Sequence, residues 1–347
     1  MHNVNNHHKG RGYKQWSKGY RVAFKLFVAL VIAVVSNILI SIWFDTPKMA
    51  IIRRDNQYLK AQYTILQEKI RKTKSPVLLD LAVQPDQIPA FLREEKTPAR
   101  ALADFCHALL HALKGKIPGV RFSFDQWALL DALEDLRGLM GIASELGFYV
   151  LLDAPAVRSP WAAERAAALF AGDSGYLCDG MVLDLYIGSD AIKPFLPYCQ
   201  NGKSVFFAVR SANKSAAELQ DMMTGSRLVH VAAADHVKRL GETVVGKSGY
   251  SQLGVLTAAT NANAVSGLRS KFSRMFLLVD GIDYPGGNGK NCSYGFDRFG
   301  HGCAMSVGPA ITAAWTVECC DASNFAELAV QAAERIRNNM SRYVTIL

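Results

Sequence analysis

From Pro76 onward the chain alternates short apolar runs with amphipathic stretches, and it does so eight times. The apolar runs are "VLLDLAV" from Val77, "VRFSF" from Val120, "YVLLD" from Tyr149, "DGMVLDL" from Asp179, "SVFFAV" from Ser204, "LGVLTA" from Leu253, "MFLLVD" from Met275 and "GCAMSV" from Gly302. Runs of this length suit strands buried on both faces. Between them, "PARALADFCHALLHALKG" and "DQWALLDALEDLRGLMGIASELG" repeat apolar residues at helical spacing and stop at Gly. Eight strand–helix units in about 265 residues are the number and the length that close a (β/α)8 barrel. The sequence therefore predicts an α/β protein whose residues 76–340 form a TIM barrel.

The residues ahead of the barrel read differently. Residues 1–25 form a basic leader with Lys9, Arg11, Lys14, Lys18, Arg21 and Lys25 and no acidic residue, so most of the net charge of +9 sits at this end. Nucleic acid is therefore not the expected partner, because the rest of the chain is close to neutral. "LFVALVIAVVSNILISIWF", Leu26–Phe44, carries no charge over 19 residues. As a helix it would reach about 28 Å, close to a bilayer's hydrocarbon thickness. Trp43 sits where an interfacial aromatic belongs, and Asn37 would favour a neighbouring helix. A single transmembrane helix over 26–44 is expected, with the lipid bilayer and other membrane subunits as partners. Residues 47–74 place Ile52, Leu59 and Leu66 at sevens, with Tyr63 and Ile70 interleaved. That stripe predicts a short amphipathic stalk packed on a partner protein. The seven cysteines show no CxxC spacing and an odd count, which points to buried free thiols.

Several segments carry a resemblance. "YIGSDAIKPFL", "SVFFAVRSANKSAAELQD", "LGVLTAAT", "FLLVDGIDYPGGNGK" and "FDRFGHGCAMSVGPAI" resemble orotidine 5′-phosphate decarboxylase, in particular its bacterial-type branch, which also occurs in kinetoplastids and euglenids. The resemblance spans Leu78 to Trp315, and its most specific part is Arg210 to Asp221. It implies a catalytic strand reading Asp-Ala-Lys-Arg-Gly-Asp, whose Lys protonates the carbanion left by carbon dioxide. Here the run is Asp153-Ala154-Pro155-Ala156-Val157-Arg158, with Pro155 for the Lys and Arg158 for the second Asp. Proline has no titratable group, and Arg158 is too basic to give up a proton near neutrality. The resemblance also places a Lys on the preceding strand, where the Phe residues of "KIPGVRFSF" align Pro118; Asp80 would match the first-strand Asp only with a two-residue shift.

The phosphate motifs depart too. The resemblance implies a Gln-Gly-Gly loop after the seventh strand and an Arg after the eighth. Gly286 and Gly287 remain, Pro285 stands for the Gln, and Gly308-Pro309 replaces the Ser-Arg pair. The reading is a catalytically inactive, membrane-anchored barrel, with no catalytic residue and no cofactor or metal. Asp153, Pro155 and Arg158 would be remnant positions. It would serve as an accessory subunit of a respiratory-chain or ATP synthase complex. The acid-free leader and the branch resembled put it in the mitochondrial inner membrane, the barrel leaning to the intermembrane space. The alternative is a nucleotide or anion sensor, or a repurposed enzyme, that uses Arg210, Asn213, Gly286 and Gly287. Asp184 and Asp280 end strands as active-site acids often do. His107 and His111, at i and i+4, read as polar positions on an outer helix.

Overall fold

The structure, a computed structural model, describes residues 62–246, 249–317 and 322–346. Eight parallel strands form the barrel: β1 Val77–Asp80, β2 Gly119–Ser123, β3 Tyr149–Asp153, β4 Gly180–Asp184, β5 Ser204–Ala208, β6 Leu253–Ala258, β7 Leu277–Asp280 and β8 Cys303–Val307. They close in the order β1-β8-β7-β6-β5-β4-β3-β2. Each coincides with one of the eight apolar runs, β2 starting one residue early at Gly119, so the predicted TIM barrel is the observed fold. An antiparallel ribbon of Met223–Thr224 and Arg227–Leu228 interrupts the connection between β5 and β6.

The period-two alternation of each strand sorts its side chains into two cores. Val77, Leu79, Val120, Phe122, Val150, Leu152, Met181 and Leu183 face outward and pack with the surrounding helices. Leu78, Tyr149, Leu151, Val182, Phe206, Leu256, Phe276, Leu278 and Ala304 face inward and fill the barrel. The helices begin where their sequences supply caps. Thr97 and Ser159 accept from Arg100 N–H and Ala162 N–H, each followed by a proline in the first turn, and Asn261 accepts from Ala264 N–H. Cys106, Cys178, Cys199, Cys292 and Cys303 are buried free thiols, as expected; Cys319 and Cys320 lie outside the described residues.

The stalk expectation needs correction for the part that is described. Helix α1, Gln62–Thr73, does not hold its apolar stripe out for a partner. Leu66 and Ile70 are fully buried among the inward-facing strand residues. Gln67 Oε1 accepts from Gly302 N–H at 3.0 Å, and Lys69 Nζ donates to Gly147 C=O. Gly302 and Gly147 lie just before β8 and β3, so α1 plugs the N-terminal end of the barrel. The remainder of the stalk, the leader and Leu26–Phe44 lie outside the described residues. Among the described residues, no helix is long and apolar enough to cross a membrane.

Candidate functional site

The two-residue period that puts Leu78 and Leu151 inside the barrel also puts Asp80 and Asp153 there, one step nearer the C-terminal rim. On β2 the same parity selects Arg121, which is paired in register with Asp80. Arg121 is 8% exposed and stands near the barrel axis. Its Nη1 donates to Asp80 Oδ2 at 3.1 Å and to Asp280 Oδ2 at 3.2 Å, and its Nη2 donates to Asp153 Oδ2 at 2.5 Å. Ser306 on β8 completes the ring, with its hydroxyl 3.3 Å from Asp80 Oδ2. Four strands thus converge one guanidinium and three carboxylates on a single point.

The charges in this cluster are unequal, and the protonation tendencies follow. Burial disfavours the Arg121 cation, but Asp80, Asp153 and Asp280 outweigh it and raise its affinity for the proton. Burial also pushes the Asp153 carboxyl above its usual range; Arg121 opposes this, while Asp80 and Asp280 reinforce it. Asp280 shifts the same way for the same reasons. One cation cannot fully compensate three anions, so upward shifts on both kinds of group are consistent. The side chain of Asp153 remains 36% accessible, so water tempers its shift without reversing it.

Above the cluster lies a cavity of about 270 Å³, lined by Arg121, Asp153, Pro155, Asp184, Asn213 and Asp280 among others. This is the C-terminal end of the strands, where barrel enzymes keep their sites. Pro155 is on the wall. Arg158 is exposed on the loop beyond and does not line the cavity. Arg210 is buried and committed internally, its Nη2 donating to Asp221 Oδ2 at 3.0 Å and its Nη1 to Ser211 C=O at 2.6 Å. Ser211 N–H donates to Gln220 Oε1 at 2.8 Å. The Arg210–Asp221 run therefore braces the loop after β5 and presents Asn213, which is exposed, to the cavity.

Gly286 and Gly287 lie in the loop after β7, outside the cavity lining. Gly287 is required there, since a Cβ would sit 1.9 Å from Gly281 C=O. Gly281 itself has φ +78° and follows Asp280 directly, which lets the chain turn away at the cluster. A second carboxylate, Asp283, links this loop to the residues after β8. Its Oδ2 accepts from Gly308 N–H and its Oδ1 from Ala310 N–H, both at 2.9 Å. His107 and His111 are exposed on the helix Pro98–Leu113 with ring centroids 4.5 Å apart.

Two features escaped the sequence reading. The alignment on Phe residues selected Pro118, whereas the barrel interior receives Arg121. A charged residue inside "GVRFS", in phase with Gly119 and Ser123, was the available signal. β1 ends on Asp80, which brings its carboxylate into the same cluster.

No family model matches the chain. A protein of Caldicellulosiruptor saccharolyticus named orotidine 5′-phosphate decarboxylase is 26% identical over 251 residues, covering 66% of this chain and 82% of that protein. One of Clostridium perfringens with the same name is 31% identical over 177 residues, covering 50% of this chain and 60% of its own length. The crystal structure of Plasmodium berghei orotidine 5′-monophosphate decarboxylase superposes with a TM-score of 0.66 at 12% identity, covering 81% of this chain and 98% of that one. The chain resembles orotidine 5′-phosphate decarboxylase in sequence and in fold. These matches overturn the expectation of a catalytically inactive accessory subunit. The relatives that span most of the barrel carry an enzyme's name, and Asp153 and Asp280 at the strand ends are joined by Asp80 and Arg121 in one charged cluster. The single-pass membrane placement is corrected as well. The relatives are named as decarboxylases, and Leu26–Phe44 itself lies outside the described residues, among which no helix is long and apolar enough to cross a membrane.

Proposed function

We propose that the chain is a decarboxylase acting on a carboxylated nucleoside-type substrate at the C-terminal end of its barrel. The observation that carries this reading is the Asp80–Arg121–Asp153–Asp280 cluster beneath an open cavity, in a chain similar to orotidine 5′-phosphate decarboxylases. Pro155 cannot transfer a proton, so the roles are divided differently from the Asp-Ala-Lys pattern. Arg121 is a fixed cation, too basic to be the acid, and it stabilises negative charge developing on the substrate carbon. Asp153 faces the cavity and holds its proton more tightly than an ordinary carboxyl. It is therefore the cavity-facing group that can deliver a proton.

In the reaction the bond between the carboxylate and the ring carbon breaks, and carbon dioxide leaves. The electron pair stays on the ring carbon, which takes the Asp153 proton; solvent restores that proton. Asn213 contacts the ligand from the wall, and Arg210 positions the loop that carries it. Carbon dioxide release from orotidine 5′-phosphate and from orotidine, measured separately, tests the reading. Turnover should exceed the uncatalysed rate for at least one substrate, and Arg121→Met should abolish it. Release from neither substrate above background would sink the proposal.

A further inference from the structure

The loop Ile282–Gly287 and the residues after β8 together form the part of a barrel rim that commonly grips a phosphate. Here that place is filled from within. Asp283 takes the N–H groups of Gly308 and Ala310, and Pro309 between them has none. Ile311 N–H and Thr312 N–H donate to Gly308 C=O at 2.8 and 3.0 Å. The backbone donors from Gly308 to Thr312 are all engaged inside the protein. Asp283 also lies close to the charged cluster. A Cβ on Gly308 would meet Asp80 Cβ at 3.6 Å and Asp283 Oδ2 at 3.9 Å.

A phosphate dianion entering beside Asp283 would meet like charge at short range with no vacant backbone donor at that helix start, and like charges at contact repel strongly where water is partly excluded. A neutral ribose hydroxyl meets no such repulsion and can hydrogen-bond to a carboxylate.

We propose that Asp283 is a built-in anion that excludes a phosphate monoester, so that the substrate is a carboxylated nucleoside without its 5′-phosphate. This rests on the decarboxylase reading and specifies its substrate class. The test is a titration of the full chain with uridine and with uridine 5′-phosphate at fixed ionic strength, followed by calorimetry. Uridine should bind at least about tenfold more tightly, because a like-charge contact disfavours the nucleotide alone. Asp283→Asn, which keeps one acceptor and removes the charge, should narrow the gap to about threefold or less. Nucleotide binding as tight as or tighter than nucleoside binding in the unmodified protein overturns the inference and leaves the decarboxylase reading intact. Binding of neither ligand overturns that reading and takes this inference with it.

Discussion

Replacing Arg121 by Met would leave Asp80, Asp153 and Asp280 facing one another without their common cation. The new side chain is of similar length, so the loss is electrostatic rather than a void. Removing one partner of a buried ion pair commonly costs about 3–5 kcal/mol, because the other charge is left uncompensated. The three carboxylates are 16%, 36% and 28% accessible. Water therefore reaches part of each, and the low end of that range, about 3 kcal/mol at pH 7.5, is the expected loss. For a domain of this size each kcal/mol moves the melting temperature by roughly 2–4 °C, so a fall of roughly 6–12 °C is expected. At pH 5 Asp153 and Asp280, whose carboxyls burial holds above their usual range, carry more of their protons than at pH 7.5, so their repulsion is weaker and the loss should be smaller. Urea unfolding at the two pH values, monitored by circular dichroism, measures both effects. A loss below about 1 kcal/mol at pH 7.5, or an equal loss at both pH values, would refute the cluster's assigned energetics.

Other outcomes follow from the same geometry. Asp153 and Asp280 bind protons more tightly folded than unfolded, so the stability they contribute is fully present below the ordinary carboxyl pKa and is lost as pH rises through their raised values. Asp153→Asn should flatten that decline in melting temperature plotted against pH. If Asp153 is the proton donor, turnover should likewise fall as pH rises through its raised pKa, and a rate rising over that interval would contradict the assignment. Ile70→Ala should destabilise the isolated chain by about 2–5 kcal/mol, since Ile70 is wholly buried at the barrel's N-terminal end; a cost near zero would return α1 to the role of a free stalk. Gly287→Ala should cost about 1–3 kcal/mol or more through its clash with Gly281, read as a lower urea midpoint.

The architecture was legible because it rests on local periodicity repeated many times. Each apolar run and each helical stripe is set by neighbours in sequence, and eight concordant signals leave little room for another fold. Gly286 and Gly287 were found as a pair, and the loop they form is real. The departures at Pro155 and Pro309 were equally visible. What those departures mean was not, because a motif position that expects Lys carries no information about Arg121, three residues beyond Pro118. The bracing role of Arg210 is not legible in the sequence, since its partner Asp221 lies 11 residues away and only the folded loop brings them together.

The sequence by itself determined the strands, the helices, their count and therefore the closed barrel. It also determined, through the parity of Asp80, Arg121, Asp153 and Asp280 within their strands, which faces those charges occupy. Only the tertiary structure decided that the four meet. Strand register and barrel closure bring together residues up to 200 positions apart along the chain. The same holds for Asp283 with Gly308 and for α1 with the barrel floor. The physical reason is that alternation along a strand is a local property, whereas the distance between two strand ends depends on how every intervening strand is paired.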